Sequence, residues 1–387
     1  MTIIHGTLPR SARSGRGTPA ALVASHAPIE LGPVPVVDGE LVLRPPRYDD
    51  HARWREVRLR NERAITRFWP TSDLSWAEQH TEWRWAREVN DHRHEAAVGR
   101  GLSFVLELDG SFVGQVTLSG IDTETRTAEL GVWCDRAVAH RDVATTAACA
   151  VIDLAFDHLG LELVTAPVST SNVPAVVTAG HIGFTAEATM RGYSHISGTW
   201  GDHDLLSVLA SERPAGGLLA DRLASRQLEA RPATVRRARR ADHLPSSPAC
   251  RVALARYTAS RIKARLHRGE QAQESDPTFT VTVDGDAVTC GVRDVDPGHS
   301  AAEVFVLDPR TPAGAAAAVQ HAVDHATRTL GLHRVTAVAA PGDDLRASAY
   351  AGAGLRREGT LRSRLCADGT RADLDLWARL DDDPPAS

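Results

Sequence analysis

The residues of this chain best suited to chemistry fall in one stretch, Thr127–Ala150, which reads as a strand, a loop and a helix. Glu129 stands on the strand, where its carboxylate could take a proton from an amine directly or through a water. The loop Ala139-His140-Arg141-Asp142-Val143-Ala144 leads into the helix. A helix N-terminus presents backbone N–H groups to a phosphate or diphosphate. An opening in the sheet beside an exposed N–H would hold an oxyanion. Base, phosphate cradle and oxyanion donor are the three things that transfer of an acyl group from an acyl-CoA thioester to an amine requires. Residue chemistry alone leaves a second reading of Glu129 open, a solvated strand carboxylate.

The surrounding sequence supplies elements that would position this stretch. Residues 40–44 alternate as a strand, and Asp49 and Asp50 sit where caps belong before a helix running to Asn61. Trp69-Pro70-Thr71 breaks the pattern, and a polar helix rich in Trp follows over 76–95. Runs 103–108 and 111–118 flank Asp109-Gly110, a hairpin signal, and Thr127–Cys134 is the next strand. A helix over 143–158 ends at Gly160, then strand 162–168, helix 173–181 and strands 184–191 and 203–210 complete the block. The order predicts a mixed sheet with helices on its faces, an α/β or α+β fold.

The chain then starts again. Shifted by 171 residues, 153–208 matches 324–379 without a gap at 17 of 56 positions. Leu159-Gly160-Leu161 meets Leu330-Gly331-Leu332, Val164-Thr165-Ala166 meets Val335-Thr336-Ala337, and Glu187 and Arg191 meet Glu358 and Arg362. A period this long means a duplicated domain, not a solenoid. The length of 387 residues also suits two domains. The expected division is an arm over 1–35, a first domain over 36–212, a linker over 213–233, a second domain over 234–381 and a tail over 382–387.

Bulk properties narrow the class. Net charge is −5 and Lys263 is the only lysine, so nothing points to nucleic acid as a partner. Five scattered cysteines without a CxxC pair suit reduced thiols in the cytoplasm. No apolar run approaches the ~18–20 residues that span a bilayer. Asp91-His92-Arg93-His94-Glu95 fits no common zinc spacing, so no metal is expected. The glycine patterns of dinucleotide sites and phosphate-binding loops are absent, which argues against a dehydrogenase or a nucleotide hydrolase.

The run Ala128-Glu-Leu-Gly-Val-Trp-Cys-Asp135, then Val143-Ala-Thr145, His158-Leu-Gly-Leu161, Asn172 and Gly183-Phe184, resembles the GNAT acetyltransferases. Arg58-Leu-Arg-Asn61, Trp69-Pro-Thr71, Val113-Gly-Gln115 and Gly198-Thr-Trp-Gly-Asp-His203 make it similar to the RimJ/RimL group, which acetylates N-terminal amines of ribosomal proteins. The resemblance covers about 170 residues of the first half. It implies two tandem GNAT-like domains, the second degenerate, each a mixed sheet flanked by helices. It implies acetyl-CoA as cosubstrate and a primary-amine acceptor, a protein N-terminus or a small molecule. Glu129 would deprotonate the amine, Asn172 would contact the pantetheine arm or its water, and His203 would lie near the acceptor cleft. Gly131 and Val132 would flank the pantetheine. Arg141, Asp142, Val143, Ala144 and Thr145 would face the diphosphate. Oligomeric state is left open.

Two departures from the family pattern carry expectations of their own. Asp142 replaces the middle glycine of the phosphate loop, and a carboxylate there is expected to cap the helix, occupy its N–H groups and repel phosphate. That motivates an alternative, a non-catalytic scaffold or ligand sensor. The second half keeps Arg310 ahead of Pro312, carries Asp343 where the first has Asn172, and places Tyr350 where many GNAT enzymes carry an acid, although residue type alone favours a tyrosine packed on its helix. A third possibility is therefore that the second half works, with Arg310 and Tyr350 in the active roles.

Overall fold

A computed structural model describes residues 28–228, 233–238, 244–258, 277–283, 286–307, 309–366 and 368–384. Most of the N-terminal arm and the last three residues lie outside them. The described chain divides into two compact units, one of residues 28–185 and 206–258, the other of residues 186–205 and 277–384.

The first unit opens with an antiparallel hairpin, β1 (Ile29–Val36) and β2 (Gly39–Arg44). Four helices follow: α1 (His51–Arg60), α2 (Glu62–Ile65), α3 (Trp76–Gln79) and α4 (Glu82–Ala97). Asp50 does not cap α1 with its side chain. Its carboxylate instead holds Arg44 through two bonds of 2.7 and 2.9 Å and accepts from the Arg47 N–H. The helix expected over 76–95 is two helices, because Ser75 and Thr81 each start one by accepting an N–H of the following turn.

Strands β3 (Leu102–Leu108), β4 (Ser111–Asp122) and β5 (Thr127–Cys134) form a meander turning at Asp109-Gly110. Helix α5 (Val143–Asp157) crosses to β6 (Leu163–Ser169), which pairs parallel to β5, as such a crossover requires. Helix α6 (Val173–Ile182) leads to the hairpin β7 (Thr185–Ile196) and β8 (Thr199–Leu209), of which residues 186–205 belong to the other unit. Helix α7 (Leu218–Ser225), strand β9 (Val235–Arg237) and helix α8, from 248 to the limit of description at 258, complete the first unit. Its strand order runs β9-β1-β2-β3-β4-β5-β6.

Alternation along β5 sorts its side chains between two cores. Leu130, Val132 and Cys134 pack toward α5, while Trp133 joins Trp54, Trp76 and Trp85 on the face covered by α1, α3 and α4. Glu129 and Gly131 share the face of Trp133 by the same two-residue period. Helix α5 is buried nearly all round because α7 covers the side that the sheet does not.

The second unit holds β10 (Thr278–Val283), β11 (Asp286–Asp296), β12 (Ala301–Leu307), α9 (Pro312–Asp324), β13 (Arg334–Ala339), α10 (Asp344–Gly352), β14 (Arg356–Leu365) and β15 (Arg371–Leu380). Its strand order is β10-β11-β12-β13-β15-β14, and β14 pairs β7 at Gly359 and Ala188. The parallel pair is β12–β13. The residues that the 171-residue shift equates make equivalent bonds. Thr189 Oγ1 donates to Asp204 at 2.8 Å and Thr360 Oγ1 to Asp375 at 2.9 Å. Where β7 meets β14 the bonds are reciprocal: Arg191 N–H donates to Glu358 at 3.1 Å, and Arg362 N–H to Glu187 at 3.2 Å. A Cβ on Gly359 would stand 2.2 Å from the Glu187 carbonyl, so only glycine fits there.

Candidate functional site

The parallel pairing of β5 with β6 is short. Thr127, Ala128 and Glu129 pair with Leu163, Val164 and Thr165, and there it ends. Both strands continue, β5 to Cys134 and β6 to Ser169, so the sheet opens immediately beyond Glu129. On its other edge β5 stays paired to β4 as far as Cys134. Alternate N–H groups of the Gly131–Val132 segment therefore point to the side that β6 has left. Glu129 is 5% exposed at this fork. Val132 is buried in the core toward α5.

Past β5 the chain makes a turn of six residues, Arg136–Arg141, and enters α5 through Asp142, at φ 63°. Asp135 pins the start of this turn. Its carboxylate accepts from Arg60, from Asn61 Nδ2 at 2.8 Å and from the Ala137 N–H at 3.1 Å. Asn61 returns the bond by accepting the Arg136 N–H at 3.0 Å. Thus Arg60 at the end of α1 and Asn61 just past it brace the strand-to-helix corner, a role their residue types alone did not reveal.

Asp142 corrects the sequence-based expectation. It is 6% exposed, yet its carboxylate accepts no backbone N–H from the first turn of α5, only the Thr146 hydroxyl at 3.4 Å. It turns instead to Arg222 on α7, which donates from Nε at 2.7 Å and from Nη2, and Arg226 adds a bond at 3.3 Å. Burial alone would raise the carboxyl's pKa. Hydrogen bonding and the charge of Arg222 outweigh it and hold the group below the usual carboxylate range. The first-turn N–H groups of α5, at Val143, Ala144 and Thr145, have no intrahelical acceptor by geometry, and Asp142 does not take them. A left-handed residue in place of glycine, with its charge tied off sideways, leaves the helix start able to hold a diphosphate.

The remaining candidates are distributed as follows. Arg141 bonds the Val37 carbonyl at 3.0 Å and Asp109 at 3.4 Å, so its charge is engaged beside the β1–β2 turn. Asn172 is buried and caps α6, accepting the Ala175 N–H. Its amide therefore fixes the helix that begins just after β6. His203 belongs to the second unit. It is buried, its ring lies against Tyr193, and burial lowers its pKa to about 4, so the imidazole is neutral at pH 7.

On the Glu129 face stands a residue to which sequence reasoning gave no role of its own. The Arg58 guanidinium lies 4.4 Å from the Trp69 ring and 3.9 Å from the Trp133 ring. It is 3% exposed, and burial draws its pKa down to about 9. Trp133 in turn donates to Gln115 at 2.9 Å, and Gln115 to Glu88 at 3.0 Å. The spacing of Arg58 and Trp69 was visible in the sequence, but the contact with Trp133 depends on tertiary packing.

The second unit has the equivalent fork. Pairing of β12 with β13 ends at Glu303 and Thr336. Thr165 and Thr336 even make the same bond, to the carbonyls of Ala128 and Ala302. The groups around this fork are differently engaged. Glu303 is ion-paired to Arg293. Thr311 caps α9 by accepting the Gly314 N–H at 3.1 Å, and Pro312 occupies the first turn without an N–H to offer. Tyr350 is buried and donates to the Val338 carbonyl at 3.1 Å, and burial raises its pKa.

Among the described residues no group of three or more His, Cys, Asp or Glu side chains is placed to hold a metal. No described helix is long and apolar enough to cross a membrane.

Comparison with known proteins places the first unit. Residues 40–185 match the Acetyltransferase (GNAT) domain. The chain is 27% identical over 165 residues to "Putative ribosomal N-acetyltransferase YdaF" of Bacillus subtilis (strain 168), covering 42% of this chain and 87% of that protein. It is 31% identical over 102 residues to "Probable N-acetyltransferase YjcK" of the same organism, covering 26% of this chain and 56% of that one, about half the relative's length. Among solved structures, Mycobacterium smegmatis RimJ in complex with CoA-disulfide is 31% identical with a TM-score of 0.49, and the match covers 53% of this chain and 95% of that one.

Proposed function

We propose, from the premise that residues 40–185 of this chain carry the GNAT acetyltransferase fold, that the first unit is an acetyl-CoA-dependent N-acetyltransferase acting on a primary amine, and that this amine is a protein N-terminus. The observation that carries the proposal is the fork of β5 and β6 at Glu129, one short turn from a helix start whose N–H groups are not capped by Asp142. Residues Val143, Ala144 and Thr145 would hold the diphosphate of acetyl-CoA, and Gly131 and Val132 would flank its pantetheine. The cosubstrate supplies the acetyl thioester. Glu129 accepts a proton from the acceptor's ammonium or amine, directly or through a water. The freed nitrogen attacks the thioester carbonyl, an N–H of the open β5 edge steadies the oxyanion, and the C–S bond breaks as the C–N bond is kept. The leaving thiolate needs little help, since a thiol titrates near ~8.5.

The N-terminal amine as acceptor, and membership of the RimJ/RimL group, rest on the motifs over Arg58–Asn61, Trp69–Thr71 and Gly198–His203, and on the ribosomal N-acetyltransferase named among the relatives. A small-molecule amine is the competing acceptor. The second unit is read as a degenerate GNAT-like copy with a structural role, supported by the repeat and by the matching order of elements. Scattered cysteines, four of them buried and none paired, favour a cytoplasmic setting.

The test is release of free CoA by the full-length protein from acetyl-CoA with a panel of N-terminal peptides and, separately, polyamines. Turnover with peptides supports the proposal. Turnover with polyamines alone moves the acceptor to small molecules, and no release with any amine overturns the enzymatic reading in favour of a scaffold or sensor.

A further inference from the structure

Helix α7 lies in a segment that the sequence reads as a linker, yet it is fastened to α5 at several points. Leu218, Leu219 and Leu223 are buried in the same core as α5. Asp153 on α5 accepts the N–H groups of Leu218 and Leu219 at 3.0 and 2.9 Å, capping α7 from outside. Arg213 bonds Asp153 and Asp157 just ahead of it. Independently of all these, Arg222 reaches the far end of α5 and grips Asp142 with two nitrogens, its side chain 10% exposed. Arg226, 45% exposed, touches the same carboxylate at 3.3 Å.

Hydrophobic packing and the Asp153 cap already dock the helix, so the two arginines are not needed merely to hold it. What they change is the charge and the aim of Asp142. A lone carboxylate at a helix start relaxes onto the first-turn N–H groups, which is where a diphosphate would bind, and it also repels that ligand. A bidentate guanidinium fixes the carboxylate in another direction. Two guanidiniums against one carboxylate leave the corner with a net single positive charge.

We propose that Arg222 is a positioning residue for acyl-CoA: it holds the Asp142 carboxylate off the first-turn backbone N–H groups of α5 so that they remain available to the diphosphate, while Arg226 contributes positive charge at the corner. This rests on the acyl-CoA reading above and names what lets that site work without its usual glycine. Arg141, the cation in the loop, is engaged with Val37 and Asp109. The charge therefore comes from Arg226, at the C-terminal end of α7 and 84 residues downstream of Asp142.

The experiment is calorimetric titration of the full-length protein with CoA at fixed ionic strength, on wild type, Arg222→Gln, Asp142→Gly and the double variant, with thermal unfolding of each. Arg222→Gln should weaken CoA binding about tenfold to a hundredfold. Adding Asp142→Gly should restore it to within about threefold of Asp142→Gly alone, because the stray carboxylate is then gone. Arg226→Gln should weaken binding by a smaller factor, about threefold to fivefold, that salt erases. Loss of the buried ion pair lowers the unfolding temperature of Arg222→Gln under either reading, whereas under a merely structural role the double variant would stay as weak a binder as the single one. Either that failure of rescue or unchanged binding by Arg222→Gln overturns the inference while leaving the acyl-CoA reading intact. Absence of CoA binding by the wild type overturns both.

Discussion

The forks at Glu129 and Glu303 have the same strands around them and opposite uses of their polar groups. In each, three residue pairs join a parallel pair of strands before a glutamate marks the end of pairing. In each, a threonine on the later strand bonds the carbonyl just before that glutamate. The helix starts differ. Asp142 enters α5 in a left-handed conformation and gives its carboxylate to Arg222, whereas Thr311 enters α9 extended and gives its hydroxyl to the first turn, followed by a proline. Glu303 is ion-paired to Arg293. The difference teaches that two forks can share backbone geometry without sharing chemistry. A fork is a fold feature, and a site also needs the N–H donors of its helix start left available for a ligand.

Replacing the two glutamates is the sharpest way to break this comparison. Glu129→Gln should lower kcat by about 10²–10⁴-fold with CoA affinity unchanged, because only the proton acceptor is removed. Glu303→Gln should leave turnover within twofold of wild type. Rates measured on both variants with one acceptor decide it. A large loss from Glu303→Gln would move the chemistry to the second unit.

A smaller effect follows from Asp142. At pH 7, Asp142→Asn should cost about 2 kcal/mol of stability, since Arg222 loses its charged partner in a mostly buried place. The folded carboxyl titrates below its unfolded value of ~3.9. As pH falls, the unfolded chain takes up the proton first, so the stability due to ionisation is lost below about pH 4 and not before. Chemical denaturation at intervals from pH 7 to 3.5 should show a constant gap between wild type and Asp142→Asn down to about pH 4.5, closing below. A gap that closes between pH 7 and 5 would mean that the carboxyl is not held by the arginines.

How far the sequence reaches is clear from these same residues. Periodicity located β5 at Thr127–Cys134 to the residue, and the 171-residue repeat put β13, α10, β14 and β15 in register with β6, α6, β7 and β8. The position of Glu129 on β5 was legible because it depends on a local strand pattern. Asp142 was misread because a capping rule is local, whereas its partner lies 80 residues on, in a stretch that reads as a linker with some helix and no signal of what that helix packs against. The boundaries moved for a similar reason. Strand β1 begins at Ile29, inside the segment read as an arm, because it pairs with β2 and β9, and no local signal reports pairing with residues 235–237. Residues 186–205 group with the second unit through the Glu187 and Glu358 bonds, which join positions more than 160 residues apart.

Tyr350 gives the smallest and most discriminating case. A tyrosine at this place on α10 invites the role of acid to a leaving thiolate, and residue type cannot decide the matter. An acid must carry a donatable proton at a wet or reacting position, with a pKa near that of its partner. The Tyr350 hydroxyl is buried, donates to the Val338 carbonyl at 3.1 Å, and has its ionisation pushed upward by burial, all of which hold the proton where it is. Tyr350→Phe should therefore cost only about 1 kcal/mol of stability, the usual worth of one buried neutral hydrogen bond. It should leave kcat within twofold across pH 6–9. A fall in kcat at unchanged KM, with loss of the alkaline limb of the pH profile, would make the second fork catalytic and erase the distinction between the two units.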